Sequence, residues 1–413
     1  MNSEINPINM YSFNEIAEIN PLRTVKKGTI TKYLSMDSVE PKQKHVSKIE
    51  YRKYNGGSKF KKNDILFARI TPSLEHGKTC IVDFLENGEI GAGSTEFIVI
   101  SSRDGLTTPD YLYYLTISDL VRDPAIKSMT GTSGRQRVDT SVFDSIVVSI
   151  PPLKEQKAIA KILSDLDSKI EHNKKMNKTL ETIAQAIFKH WFIDFEFPNE
   201  EGKPYKSSGG QMVDSELGKI PDNWTIKKLD EIADFLNGLP LQKYPAITEE
   251  DYLPVIKIKE MNSGISDSSD KASRNVPSEY IIHNGDILFA WSGSLGVTIW
   301  CSGEGALNQH IFKVSSDEYP KWFYYEWLLH YLLDFIEIAR DKATTMGHIQ
   351  RHHLSESLVA VPDSNALEIM NNVLKPIIDR IINLRVDSDT LTKTRDLLLP
   401  PILSGKIRVP LEE

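Results

Sequence analysis

Cysteine is nearly missing from this sequence. The only two, Cys80 and Cys301, stand far apart and outside any CxxC or other metal-ligand spacing. That excludes a disulfide framework and a structural zinc site, and it points to a reducing compartment. Long apolar runs are missing too: nowhere do roughly 18 apolar residues follow one another, the length a membrane helix needs. The opening Met1-Asn2-Ser3-Glu4 has no basic stretch leading into an apolar one. A cytoplasmic protein with no membrane partner is expected. Positive charge is in deficit as well, with 49 Lys and Arg against 57 Asp and Glu for a formal net charge of −8. A chain that coats nucleic acid by bulk electrostatics is thereby disfavoured, since phosphate contact needs cations.

The signatures of catalysis are equally scarce. His76-Gly77-Lys78-Thr79 ends like a phosphate-binding loop, but Pro72 occupies the position of its first glycine, where backbone freedom is needed to wrap phosphates. No Asn/Asp-Pro-Pro-aromatic tetrapeptide of an amino-methyltransferase occurs, and Glu40-Pro41-Lys42 is an isolated E-x-K without a suitable acidic partner for a nuclease site. His352-His353, with His348 nearby, lacks an acidic or thiol partner at ligand spacing and reads as polar surface histidines. Gly91 and Gly93 lie far from any predicted helix start and read as turn residues. Neither a metal nor catalysis by this chain is expected.

What the sequence does have is size, a local patch of charge and a repeat. At 413 residues it exceeds one typical domain, and 40% hydrophobic with 26% charged residues can build a core in each of two or three units. Residues 21–62 carry twelve Lys and Arg against Asp37, Glu40 and Glu50, a plausible surface for backbone phosphates; residues 216–361 hold 13 cations against 21 acids and offer no equal. The repeat is visible directly. Phe13-Asn14-Glu15-Ile16-Ala17-Glu18-Ile19 returns as Leu229-Asp230-Glu231-Ile232-Ala233-Asp234-Phe235, and Asp64-Ile65-Leu66-Phe67-Ala68 returns unchanged as Asp286-Ile287-Leu288-Phe289-Ala290. Gly93-Ser94-Thr95-Glu96-Phe97 occupies the place of Leu307-Asn308-Gln309-His310-Ile311, and each copy ends in an apolar strand running into Pro151 or Pro362.

After each proline comes a long helical pattern. Ile159, Leu166, Asn173, Leu180 and Ile187 recur every seven residues, joined by Leu163, Ile170, Asn177, Ala184 and Trp191. Met370, Ile377, Leu384, Leu391 and Leu398, with Leu374 and Ile381, form the second series. Helices of about 35 to 40 residues, some 55 to 60 Å long, can satisfy these stripes on each other as a coiled coil. Asn173 and Asn177 fall on the seam and would fix its register; Pro376 is expected to mark a kink or a late helix start. Residues 199–215, rich in Gly, Ser and charge, read as a linker. The bodies, residues 1–150 and 216–361, mix short β-rich runs with turns and one helical stretch each, 111–121 and 321–338, an α+β pattern.

The order of several short motifs resembles one family. Pro151-Pro152-Leu153-Lys154-Glu155-Gln156-Lys157-Ala158-Ile159-Ala160, continuing to Trp191-Phe192, is similar to the central conserved segment of the specificity (S) subunits of type I restriction-modification enzymes. The tail from Leu397-Leu398-Leu399 to Leu403-Ser404-Gly405-Lys406-Ile407 resembles their closing segment, and Leu217-Gly218-Lys219-Ile220-Pro221-Asp222-Asn223-Trp224 the opening of their second recognition domain. Each motif alone is weak, their order is specific, and the likeness spans essentially the whole chain. The resemblance implies two target-recognition domains (1–150 and 216–361), each followed by a spacer helix (151–198 and 362–413), the helices pairing as an antiparallel coiled coil. It further implies that each domain reads half of a bipartite site in double-stranded DNA while the helices bind two methyltransferase subunits. AdoMet, ATP and Mg would then belong to the methyltransferase and restriction/translocase partners, with no cofactor in this chain.

Base readers must be polar, forked and presented on loops. In the first domain Thr130-Gly131-Thr132-Ser133-Gly134-Arg135-Gln136-Arg137 is the leading loop, with Ser133, Arg135, Gln136 and Arg137 as candidates; Arg69, Thr71, Ser73 and His76 form a second edge. In the second domain the candidates are Trp291, Ser292 and Ser294, then Lys342, Thr344, Thr345, His348, Gln350 and Arg351. Two rivals fit the same repeat: an interaction scaffold without a DNA role, and a regulator that reads a split operator unaided.

Overall fold

The structure, a computed structural model, describes residues 9–46, 48–248, 250–341 and 347–411. The chain divides into two compact units, Met1–Glu171 with Leu391–Glu413, and His172–Thr390. The first carries two four-stranded sheets. One runs in the order Ala17–Ile19, Phe97–Ser102, Ile65–Ala68, Thr79–Ile81, entirely antiparallel. The other runs Glu50–Lys53, Ile30–Leu34, Ile90–Gly93, Ser58–Lys61, with its central pair parallel. The second unit repeats both: Asp234–Asn237, Ile311–Ser315, Ile287–Ala290, Gly296–Ile299, and Lys271–Ala272, Leu253–Ile256, Gly305–Leu307, Ile281–Ile282, again with a parallel central pair.

The repeated Asp-Ile-Leu-Phe-Ala has a physical reason in this arrangement. Ile65 and Phe67 face a core built on Phe13, Tyr111 and Phe143, while Leu66 faces a separate core with Leu34, Phe60 and Val99. A strand buried on both faces needs a continuous apolar run instead of alternation. Ile287 and Phe289 against Leu288 and Ala290 divide in the same way. The preceding aspartate caps the turn into the strand: Asp64 accepts the Lys61 amide (2.6 Å) and Asp286 the His283 amide (2.8 Å). That turn needs a left-handed residue just before the aspartate, supplied by Asn63 (φ 71°) and Gly285 (φ 91°). Asp64 is buried, so burial raises its pKa, and Arg23 and the Ser101 hydroxyl hold its charge. Asp286 is partnered by Lys313 instead (3.0 Å).

Each unit closes with a strand pair that feeds a long helix: Asn9–Ser12 with Val147–Ile150, then Leu153–Phe188; and Thr225–Lys228 with Leu358–Val361, then Ser364–Leu403. The helices have 36 and 40 residues, within the expected range. Their pairing is antiparallel. In the first unit Ile159 and Leu163 near the start of one pack with Leu399, Ile402 and Leu403 at the end of the other. In the second, Ala184 and Phe188 pack with Leu374, Ile378 and Ile381.

Several expectations need correction. The buried stripe departs from the expected seam by one position in places, with Asp167 buried beside half-buried Leu166 and Ile378 and Leu399 buried in place of Ile377 and Leu398, while the series of Leu374 and Ile381 continues at seven-residue spacing through Ser388 and Arg395. A helix of 3.6 residues per turn slips in this direction against a seven-residue repeat. The second helix does not start late: it begins at Ser364 and runs through Pro376. The seam also holds more polar groups than the two asparagines. Asp167 pairs with Arg395 (2.6 Å), and in the second unit Asn173 donates to Asp387 (2.7 Å) while Arg385 donates to Glu181 (2.7 Å). The single helical stretch expected over 111–121 is two, Pro109–Ile117 and Asp119–Lys127, parted at Ser118; its counterpart is Lys321–Asp341. The segment read as a linker is structured: Tyr205 stacks on Phe197 and Phe197 on Trp224, and Met212–Ser215 forms a hairpin with Gly218–Pro221.

Candidate nucleic-acid interface

In the first unit three segments meet at the end of the central strand. Arg69 follows Ile65–Ala68; its amide donates to the Glu96 carbonyl (2.9 Å) and its carbonyl accepts from the Val138 amide (2.8 Å). Ile70 bridges to Arg137, the Thr71 amide donates to the Gln136 carbonyl (3.0 Å), and the Gln136 amide returns to Thr71 Oγ1 (3.1 Å). The two edges that the sequence offers separately, around residues 69–76 and 130–137, are therefore one surface. Gly131 (φ 129°) turns the tip, where a Cβ would also stand 3.1 Å from the Arg135 carbonyl oxygen.

The side chains on this surface differ in availability. Ser133 and Arg135 are exposed, and the Arg135 guanidinium has no ion pair among the described residues. Gln136 is half-buried and His76 exposed; Ser73 is half-buried, its carbonyl taking the Lys78 amide. Thr71 is buried and its hydroxyl oxygen accepts the Gln136 amide, so it ties the two loops together. Arg137 is held by Glu96 through Nε (3.0 and 3.1 Å) and Nη2 (2.6 Å), which also raises the Arg137 pKa.

The second unit builds the same backbone frame. The Trp291 amide donates to the His310 carbonyl (3.3 Å), its carbonyl accepts from the Ile349 amide (3.0 Å), and Ser292 bridges to His348. Arg69, Glu96 and Arg137 thus correspond to Trp291, His310 and His348. Glu96 and His310 escape a search for exposed loop residues, yet the aligned Ser-Thr-Glu and Asn-Gln-His of the two copies already mark them. Trp291 donates Nε1–H to Asn237 (2.9 Å) and packs on Phe312, with His348 edge-on. Ser292 is buried with Oγ 3.0 Å from His310 Nδ1. Ser294, His348 and Gln350 are exposed; Arg351, also exposed, donates to the Phe235 carbonyl (3.1 Å) and lies over the Phe312 ring. Lys342, Thr344 and Thr345 lie outside the described residues.

Two further sequence readings change. The helix Arg351–Glu356 brings Glu356 within 4.8 Å of the ligand atoms of His352 and His353, which corrects the expectation that no acidic partner stands at ligand spacing. The Nδ1 of buried His353, however, accepts the Gln350 amide (3.0 Å), which places its neutral hydrogen on Nε2 and makes it a helix cap. The cationic patch of residues 21–62 is also smaller than its count. Arg23 and Lys32 turn inward to Asp64 and Glu89, and buried Lys44 holds Asp110 and Ser164 (both 2.7 Å). Lys42 and Arg52 pair with Asp396 and Glu50. Lys26, Lys27, Lys48, Lys53 and Lys61 stay exposed without an ion pair among the described residues.

The model of the type I restriction modification DNA specificity domain matches this sequence twice, over residues 6–182 and 221–387. The chain belongs to that specificity family. The specificity subunit of the type I restriction enzyme MjaIX of Methanocaldococcus jannaschii is 30% identical over 324 residues, covering 75% of this chain and 71% of its own. That of HindI from Haemophilus influenzae is 24% identical over 407 residues, covering 84% and 87%. The S subunit of a type I restriction-modification system from M. genitalium shares the fold at 14% identity, with a TM-score of 0.53 over 100% of this chain and 99% of its own. The duplicated match falls on the two repeats, so the doubled frame is a feature of a specificity-family chain with one frame per copy.

Proposed function

We propose that this chain is the DNA-reading subunit of a type I restriction-modification complex, that it recognises a two-part asymmetric site with one unit per part, and that it docks two methyltransferase subunits in the cytoplasm. The observation that carries the reading is one backbone frame built twice with unlike side chains: Arg69, Glu96 and Arg137 in one unit, Trp291, His310 and His348 in the other. Equal frames with unequal chemistry suit unequal half-sites. The subunit does no chemistry itself; AdoMet, ATP and Mg belong to the methyltransferase and restriction/translocase partners. Those partners also supply phosphate contacts, because the second repeat has more acids than cations and much of the basic patch is spent internally. Buried Cys80 fits a reducing cytoplasm, burial pushing its thiol pKa far up and leaving it inert.

A mobility-shift titration of the chain with duplex DNA, with and without its partner methyltransferase, tests this. Selective binding is expected only with the partner; tight selective binding by the chain alone would make it a self-sufficient regulator. Arg135→Ala should weaken the assembled complex by about 1 to 3 kcal/mol at one base pair of one half-site, the value of a bidentate base contact. A uniform loss over all sequences would make Arg135 a phosphate contact.

A further inference from the structure

We propose that Glu96 is a positioning residue that aims Arg137 at a guanine, and that the corresponding trio in the second unit, Trp291, His310 and His348, sets a different base at the equivalent position. This rests on the reading of the two units as DNA readers and adds which side chains carry the difference.

The geometry of the pair supports it. A guanidinium has five N–H donors, and Glu96 occupies the Nε edge together with one hydrogen of Nη2. The end-on edge, Nη1 with the second hydrogen of Nη2, makes no hydrogen bond or ion pair to any described residue. That edge is the fork that fits guanine O6 and N7. The Arg137 side chain is 46% exposed and that of Glu96 22%, so the carboxylate sits behind the arginine and fixes its plane. The pair is neutral overall, so it has little attraction for a phosphate and its value lies in direction. Arg137 is also anchored by its backbone, bridged to Ile70 and to Thr130. Both ends of the side chain are thus held before any ligand arrives, which lowers the ordering cost of a base contact.

The second unit places other chemistry on the same positions. His310 stands where Glu96 does, with Nδ1 at the Ser292 hydroxyl (3.0 Å) and Nε2 near the Gln309 amide nitrogen (3.2 Å). His348 stands where Arg137 does and is exposed, beside the Trp291 ring. No guanidinium fork exists at this position, so a guanine-selective contact of the first kind cannot form there.

The test uses the full chain assembled with its methyltransferase, bound to a pool of duplexes with randomised half-sites and sequenced after selection. Wild type should show a strongly preferred G·C pair in the first half-site that depends on Arg137, and Arg137→Ala should lower that preference roughly 10- to 100-fold with the other positions unchanged. Glu96→Gln should lower it at the same pair only, and Glu96→Asp should restore part of it, a pattern that a merely structural role would not give. Placing arginine, glutamate and arginine at Trp291, His310 and His348 should bring a G·C preference to the second half-site. A selective wild type whose profile is untouched by the Glu96 and Arg137 variants, or altered equally at every position, overturns the inference alone. A wild-type complex that selects nothing overturns the DNA-reading proposal with it.

Discussion

Glu326→Gln should raise the thermal midpoint of the protein markedly at pH 9 and hardly change it at pH 4. Glu326 lies on Lys321–Asp341, only 2% exposed; burial first, and Glu181 on the neighbouring helix second, raise its pKa to about 8. Arg385 gives its charge to Glu181 and leaves Glu326 without that compensation. The unfolded chain loses this proton near the ordinary value of 4.5, whereas the folded chain keeps it to about 8. The contribution of the group is therefore fully present below about 4.5, falls as pH rises through the window, and is gone above 8. Over that window the difference amounts to about 3 to 5 kcal/mol, on the order of 10 °C in midpoint for a unit of this size. Glutamine keeps the shape and removes the titration. Calorimetry of both proteins across the window checks it: a difference that stays constant from pH 4 to 9 would show that Glu326 does not titrate between those limits.

Arg395→Met should destabilise the unit formed by residues 1–171 and 391–413 by about 3 to 5 kcal/mol, the usual cost of stranding a buried charge. Asp167 and Arg395 have side chains 9% and 6% exposed and meet at 2.6 Å, and the Tyr114 hydroxyl donates to the same carboxylate (2.5 Å). Without the guanidinium, the carboxylate must be protonated or pull water inward. Replacing both charges, Asp167→Leu with Arg395→Met, should recover most of the loss, because two apolar side chains can fill the space without desolvating an ion. Urea unfolding of the wild type and these two variants decides it; a double variant no better than the single would mean that the pair contributes net stability beyond mutual compensation.

The architecture was legible because it is written twice. A strand buried on both faces has to be an uninterrupted apolar run, so Asp-Ile-Leu-Phe-Ala stands out, and two long apolar stripes can be satisfied most simply by each other. Asp167 and Arg395 on that stripe were not legible: a charged residue reads as surface until its partner, here more than two hundred positions away, is brought beside it. The same limit hid the fate of Arg23 and Lys44, which count as DNA-facing charge in a linear tally and are internal struts in the fold, and of Lys32, which is spent on Glu89. At the candidate site the loop 130–137 was legible from its glycines and forked side chains. Its tie to Thr71 and the clasp of Arg137 by Glu96 were not, since both depend on strand ends that are distant in sequence.

Both long helices cross from one unit into the other, and this has a consequence for synthesis. Residues 1–171 cannot bury Ile159 and Leu163 fully until Leu399, Ile402 and Leu403 exist. More than two hundred residues separate these partners, a delay of about 10 to 50 s at a translation rate of about 5 to 20 residues per second. Throughout that interval the nascent first repeat carries an open apolar stripe on a helix already long enough to form. A ribosome stalled before codon 391 would therefore release a chain whose first unit is unfinished and whose stripe is free to pair with the same stripe on another chain.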